Sequence, residues 1–292
     1  MVAVHVLDPQ ASDRFARPAG APLLLAQDAA PKRREPRPVR PSAAIEAEYR
    51  RKLLKLITEM QRSVIYWTSA TYRQNEPRIA QDELPAIILG RRVRDLSRRW
   101  RSRFDDLAQE LARFFAKSIA QRSDVALKRS LERGGMSVAF RMTPAMRDVL
   151  RAVIQENVSL IRSIPAQYFT QVEGYVARSV QTGRDLKQLS DDLQRNFGVT
   201  KRRAHLISRD QNNKATANLQ RARQLELGIK QAVWLHSGGG KEPRPSHLKA
   251  GRDKVVFDLA KGWWDPSEKK FILPGELINC RCVSKPVIPG FS

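Results

Sequence analysis

Two thiols stand near the end of this sequence, Cys280 and Cys282, separated by Arg281, and they are its only cysteines. A disulfide between them would close a very small loop in strained geometry, so the pair makes a poor structural crosslink and suits a reducing compartment. The other residue types that do chemistry do not assemble into a recognisable centre. Arg209 and Asp210 are adjacent in a helical stretch. They read as a buried ion pair or as a clamp between helix and strand, rather than as an acid–base couple. Glu276, in Pro274-Gly275-Glu276, reads as a carboxylate that steadies a turn. The run Gly238-Gly239-Gly240 is followed by no Lys-Ser/Thr and by no expected helix, which excludes a phosphate loop. No Ser/His/Asp or carboxylate–metal arrangement shows a recognisable spacing, so the expectation is a protein without a catalytic centre.

The elements that must position these residues follow from periodicity. Leu53, Leu56 and Met60 recur at helical spacing from about residue 42, with an apolar patch at Val64, Ile65 and Trp67. Residues 74–85 hold two prolines and read as a connection. A second helix is expected over about 89–118, with Leu96, Trp100, Phe104, Leu107 and Leu111 on one stripe and a basic opposite face. Beyond Gly134-Gly135, four helices are expected between about 143 and 227. The first stops near Pro165, the second ends around Gly183, and the third is closed by Gly198. Thr200 is the expected N-cap of the last, with Gly228 as its stop. The chain then changes character. Residues 231–236, Val255-Val256-Phe257, Phe271-Ile272-Leu273 and residues 282–287 read as short strands. Trp263 and Trp264 read as a packing cap on this small unit, with an exposed subunit-contact patch as the alternative. The fold class expected is mainly α with a small α+β C-terminal unit, a helical body packed on a short, mostly antiparallel β module.

The charge balance adds a partner class. Fifty-three Lys and Arg against 30 Asp and Glu leave +23, a field that attracts polyanions such as nucleic acid. The candidates to lie near nucleic acid are Arg33, Arg34 and Arg37 in a Pro/Ala/Arg-rich tail over residues 1–42, and Arg91, Arg92, Arg98 and Arg99 on the second helix. The competing reading is that these arginines solvate long helices. The tail reads as mobile. No apolar stretch reaches the roughly 18–20 residues of a membrane span. Leu23-Leu24-Leu25 is too short for a secretory signal, so a soluble protein that stays in the compartment of its synthesis is expected.

An ordered series of residues then carries a resemblance. Leu206-Ile207-Ser208-Arg209-Asp210-Gln211, Arg221, Leu227-Gly228-Ile229 and Val233-Trp234 are followed by Arg244-Pro245-Ser246-His247. Gly251, Phe257, Pro274-Gly275-Glu276 and Asn279-Cys280-Arg281-Cys282 complete it. In that order the sequence resembles the phage Mu F-like head morphogenesis family, the minor head proteins of tailed phages and prophages, over about residues 143–287. The helical periodicity sets apart an N-terminal region at 43–135, and the resemblance implies a Mu F-like domain with a helical part at 143–230 and a β-rich part at 231–288. It implies a minor capsid protein made in the host cytoplasm and found in the procapsid or virion head. Few copies would sit near the portal, with portal, major capsid or scaffold proteins as partners and packaged DNA as a neighbour. The motif residues carried over as structural are Arg209, Asp210, Trp234, Arg244, His247, Asn279, Cys280, Arg281 and Cys282.

One departure bears on chemistry. Many relatives carry a Cys-x-x-Cys after the tryptophan, which with the terminal Cys-x-Cys resembles a four-thiolate metal site. Here Arg244 and His247 stand at those places. The implied ligand set shrinks to His247, Cys280 and Cys282, with His236 as a fourth, and zinc accepts such a mixture. Residues two apart on a strand share a face, so a loop or bend is needed for both sulfurs to meet one ion. The favoured expectation is no cofactor. The cysteines then pack as small hydrophobes, and His247 and Arg281 hold the C-terminal segment against Trp234. Two other functional classes stay open at this point. One is an effector enzyme joined to a Mu F-like segment, for which the ten residues after Cys282 leave no room. The other is a non-specific DNA-binding protein, which would need a reading motif not seen here.

Overall fold

A computed structural model describes residues 3–6, 35–74, 85–181, 186–240 and 242–289. Strand β1 (Ala3–Val6) precedes the long helices α1 (Ala43–Gln74) and α2 (Pro85–Arg133). Strand β2 (Met136–Ala139), helices α3 (Pro144–Gln181) and α4 (Leu186–Glu226), and strand β3 (Gln231–Leu235) follow. Helix α5 (Pro245–Arg252) and strands β4 (Val256–Asp258), β5 (Trp263–Asp265), β6 (Lys270–Ile272) and β7 (Val283–Val287) complete the order. The mainly α class with a small antiparallel β unit is therefore what the sequence folds into. Among the described residues, no helix is long and apolar enough to cross a membrane.

The helix boundaries correct the expectations in three places. Pro165 lies inside α3 instead of ending it. An interior proline costs about 3 kcal/mol or more, but the buried stripe Val158, Ile161, Ile164, Tyr168, Phe169 and Val172 runs straight across it. Burial of that stripe outweighs one lost backbone bond. Gly198 and Thr200 likewise sit within α4, and Thr200 caps nothing: its hydroxyl donates back to the Asn196 carbonyl at 2.9 Å. The four expected helices are thus two. Helix α2 runs on past residue 118 because Ile119, Leu127 and Leu131 continue a buried stripe, and it stops only at Gly134-Gly135, where Gly135 takes φ +82°. Gly228 does end α4. It takes φ +76°, with Ile229 N–H donating to Gln224 and Gly228 N–H to Leu225, a Schellman closure.

The described chain forms two compact units, and α2, α3 and α4 contribute to both. One unit comprises residues 44–115 and 154–209 and is wholly helical. Its core holds Leu53, Ile57, Met60, Phe104, Phe115, Ile161, Phe169 and Leu193, with Tyr49 stacked on Phe115 at 4.2 Å. A buried polar network crosses that core. Tyr49 donates to Asn157 at 3.0 Å, Tyr168 donates to Gln61, Gln61 donates to the Leu193 carbonyl at 3.2 Å, and Asn196 to the Tyr168 carbonyl at 3.2 Å. Burial pushes both phenols above their ordinary pKa, so the network is neutral. Satisfying each group fixes the rotation of α1, α3 and α4, which apolar packing alone leaves loose.

The other unit comprises residues 1–43, 116–153 and 210–292 and carries the β module. Strands β4, β3 and β7 form an antiparallel sheet in that order, and β5 pairs with β6 in a hairpin. Proline 286 is tolerated because β7 is an edge strand. Strand β1 pairs with β2, from Ala3 against Ala139 to Val6 against Met136. Residues 35–42, read from sequence as part of a mobile tail, are laid against this unit. Val39 is buried, and the Arg37 carbonyl accepts from Ser130 at 2.8 Å. Lys32, Arg33 and Arg34, like most of the connection at 74–85 and the expected helix end at Gly183, lie outside the described residues.

Candidate functional site

The C-terminal half of α4 supplies the platform. Asp210, Asn213 and Ala217 recur at helical spacing on one face. Asp210 accepts from the Asn279 N–H at 2.7 Å and pairs with Lys214 at 3.2 Å, and Asn213 donates to the Cys280 carbonyl at 3.2 Å. Asp210 thus serves as a helix-to-loop clamp and also pairs with Lys214. Arg221 extends the same grip, donating to the Leu259 carbonyl at 2.6 Å and the Ala260 carbonyl at 3.0 Å. The loop at 274–280 presses on this face so closely that a Cβ on Gly275 would lie 2.9 Å from the Ala217 Cβ, and Gly275 takes φ +83°. Gly275→Ala therefore combines strain at positive φ with a clash against a helix side chain, and about 1–3 kcal/mol of destabilisation is expected. Thermal unfolding followed by circular dichroism checks it, and an unchanged midpoint refutes the close approach. Glu276 accepts from the Leu273 N–H at 2.8 Å and so steadies this turn.

The clamp determines where the two thiols go. Asn279 sits at φ +62°, a left-handed conformation that Asn tolerates better than most residues. The bend places Cys280 before β7 rather than on it. Both sulfurs therefore turn into the module, where Cys280 is 3% and Cys282 4% exposed. Facing them is His247 on α5, also 3% exposed. Its Nδ1 stands 3.5 Å from the Cys280 Sγ and 3.7 Å from the Cys282 Sγ. The three donor atoms all lie within 4.8 Å of one another, and no fourth Cys, His, Asp or Glu joins them among the described residues. His236, named from sequence as a fourth ligand, is not brought into this group. Its Nδ1 instead accepts from the Gly238 N–H at 3.0 Å.

Asp265 at the end of β5 is the residue that sequence reasoning missed. It is fully buried, and its Oδ2 lies 3.5 Å from the His247 Nε2 and accepts from the Ser246 hydroxyl at 3.0 Å. The Ser267 N–H holds its other oxygen at 2.8 Å. Nothing in the spacing of Trp264-Asp265-Pro266 singled it out, because its partners are on α5 nearly twenty residues away. Hydrogen bonding from the Cys282 thiol, from His247 and from backbone N–H groups holds the Cys280 thiol down at about 4, against the opposing effect of burial. Donating to Cys280, together with burial, pushes the Cys282 thiol up. The two shifts run in opposite directions because each sulfur is the other's hydrogen-bonding partner.

Trp234 forms the roof. It is fully buried, with ring centroids 5.1 Å from His247, 5.3 Å from Trp263 and 5.9 Å from Phe257. Trp263 thus packs inward, whereas Trp264 is half exposed and pairs edge-to-face with Phe271 at 5.3 Å. Helix α5, absent from the sequence reading, closes on the end of β3 through Gly251, where a Cβ would meet the His236 Cβ at 2.5 Å. Arg244 begins α5 and donates to the Ile278 carbonyl at 3.3 Å. Arg281 lies beside Gly239, its guanidinium 3.0 Å from where a Cβ would stand.

The basic residues named as neighbours of nucleic acid lie elsewhere. Among the described ones, Arg37, Arg91, Arg98 and Arg99 are exposed, and Arg92 is half-buried with its guanidinium 5.2 Å from the Trp67 ring centre. Seven arginines and one acid fall between Arg91 and Arg103. Arg98 pairs with Asp95 and Arg103 with Glu59, both at 2.6 Å, which leaves the stretch strongly positive.

The chain is mainly helical, and one of its two units carries a small β module with a buried His/Cys/Cys cluster. Residues 170–285 match the family described as Phage Mu protein F like protein. Over that stretch the chain is similar to the Mu F-like family that its motifs resemble. The match begins later than the resemblance, leaving 143–169 outside it. An uncharacterized protein of Haemophilus influenzae is 33% identical over 153 residues, which cover 52% of this chain and 32% of that protein. The chain thus spans about a third of the length of this curated relative. No solved structure matches.

Proposed function

We propose that this protein is a minor head protein of a tailed phage or prophage, present in few copies near the portal and acting in procapsid assembly, DNA packaging or ejection. The match of residues 170–285 to the Mu F-like family carries the reading. The portal and the major capsid or scaffold proteins are its partners, and it is made in the host cytoplasm before entering the head. Packaged DNA is a fitting neighbour for a chain of net charge +23 whose α2 exposes an arginine-rich stretch. The role is structural rather than catalytic. Among the described residues, the constellation Cys280–His247–Asp265 has catalytic residue types, but it is buried at 3%, 3% and 0% exposure, which leaves a substrate no direct approach.

Induction of the phage or prophage, separation of procapsids from filled heads, and quantitative mass spectrometry of both is the test. The expected result is this chain in a low, fixed ratio to the major capsid protein. Its absence from both particles sinks the proposal.

A further inference from the structure

We propose that Cys280, Cys282 and His247 bind one zinc ion, with Asp265 as the positioning residue behind His247, and that the ion ties the C-terminal loop to α5. The donor spacing is the first support. Bonds of about 2.3 Å to sulfur and about 2.0–2.1 Å to nitrogen in a tetrahedron set the sulfur-to-nitrogen edge near 3.5 Å. The two edges here are 3.5 and 3.7 Å. One ring nitrogen facing two sulfurs at that spacing has a lone pair for one proton only, whereas a cation at the centre satisfies all three donors.

The surroundings of the donors are the second support. A ligating histidine usually gives its other ring N–H to a carboxylate, which fixes the tautomer and the ring plane. Asp265 stands on that side of His247, and Ser246 and the Ser267 N–H hold it there. The His247 Nε2 otherwise meets no hydrogen-bonding partner within normal distance. The Gly275 N–H points at the Cys280 sulfur at 3.4 Å, a contact that stabilises a thiolate. Two thiolates also neutralise a divalent ion, so the filled site carries little charge into the apolar cluster of Trp234, Phe257 and Ile272.

Competing occupants fit less well. Magnesium and calcium take oxygen donors, and a mixed sulfur and imidazole set selects zinc among common divalent ions. A Cys280–Cys282 disulfide closes a strained three-residue loop and gives the His247–Asp265 pair no ligand to hold. Among the described residues three Cys and His donors meet, so the fourth corner of the tetrahedron belongs to a donor other than a Cys or His side chain.

The inference is independent of the phage-head reading, and its test runs on the purified full chain. The protein is produced with zinc in the medium, and bound metal is measured by mass spectrometry beside a count of reduced thiols. Stoichiometric zinc with both thiols present is expected. Cobalt(II) replacing zinc should give a sulfur-to-cobalt charge-transfer band and intense visible absorption, the signature of tetrahedral thiolate ligation. Cys282→Ser and His247→Gln should abolish both. Asp265→Asn should keep the cobalt spectrum but weaken zinc binding by about 10–100-fold in competition with a chromophoric chelator. Should the ligand variants fail to fold, stripping the wild-type chain with chelator and restoring the cobalt spectrum by titration decides the matter. Zinc well below one equivalent after saturation, binding unchanged in Cys282→Ser, or a mass two hydrogens short that marks a disulfide overturns the proposal.

Discussion

Arg223→Met is expected to destabilise the unit that carries the β module by about 3–5 kcal/mol, the cost of removing one partner from a buried ion pair. The Arg223 side chain is 2% exposed. Its Nε and Nη2 donate to the two Asp124 oxygens, both at 2.8 Å, and its Nη1 donates to the Arg141 carbonyl at 2.7 Å and to Glu226 at 3.0 Å. The guanidinium also lies 4.9 Å from the Phe140 ring centre. Burial alone would lower its pKa, but hydrogen bonding to Asp124 and the charges of Asp124 and Glu226 prevail and raise it. One side chain thus joins α2, the segment after β2 and the end of α4, and methionine takes the guanidinium away from both carboxylates. Lysine cannot replace the fork geometry either, so Arg223→Lys should recover only part of the loss. A double-mutant cycle with Asp124→Asn, read by chemical denaturation, should give a coupling of about 1.5 kcal/mol or more. Additive effects within about 0.3–0.5 kcal/mol would show that the fork contributes nothing beyond its separate parts.

Why Arg223 escaped the sequence reading is instructive about what local pattern contains. It is one of several arginines on α4, and although Glu226 lies at helical spacing, the acid that takes its fork, Asp124, is 99 positions away, so no spacing rule connects those two. Asp265 escaped for the same reason. The strands at 231–235, 256–258, 270–272 and 283–287 were legible, because short apolar β-branched and aromatic runs bounded by Gly and Pro can do little else. The helix ends were misread where a single breaker was weighed against a long stripe. Pro165 carries a local penalty of about 3 kcal/mol and Gly198 of about 1 kcal/mol, while Val158, Ile161, Ile164, Tyr168, Phe169 and Val172 are buried around the first and Leu189, Leu193, Ala204 and Ile207 around the second. Gly228 did stop its helix, because the apolar pattern changes period there as well. Of the residues singled out at the site, His247, Cys280 and Cys282 meet in space because Asn279 turns the chain at φ +62°. That bend is a backbone property with no signature in the Asn-Cys-Arg-Cys string itself. His236 shares its residue type with His247 but sits at the end of β3, where its ring caps the Gly238 N–H instead.

Trp234→Ala is the other large effect. Trp234 is the largest fully buried side chain of the protein, and its deletion removes the shared contact of His247, Phe257 and Trp263. Phe/Trp→Ala changes in cores cost about 3–5 kcal/mol, the higher end where neighbours cannot collapse. Collapse is restricted here. Trp234 lies in the middle strand of the β4–β3–β7 sheet, and Gly251 already holds α5 against His236 with no space for a Cβ. The loss should therefore be local to the module, with the helical core around Tyr49, Phe115 and Tyr168 left standing. Hydrogen exchange distinguishes this from global unfolding: amides of residues 231–289 should lose protection in the variant while those of 154–209 keep it. Limited proteolysis should cut the same stretch first. Trp234→Phe, which keeps an aromatic ring over His247 and gives up only part of the volume, should restore most of the protection. If the alanine variant exchanges as slowly as the wild type over 231–289, the module is held by its clamps to α4 through Asp210, Asn213 and Arg221 rather than by its aromatic core.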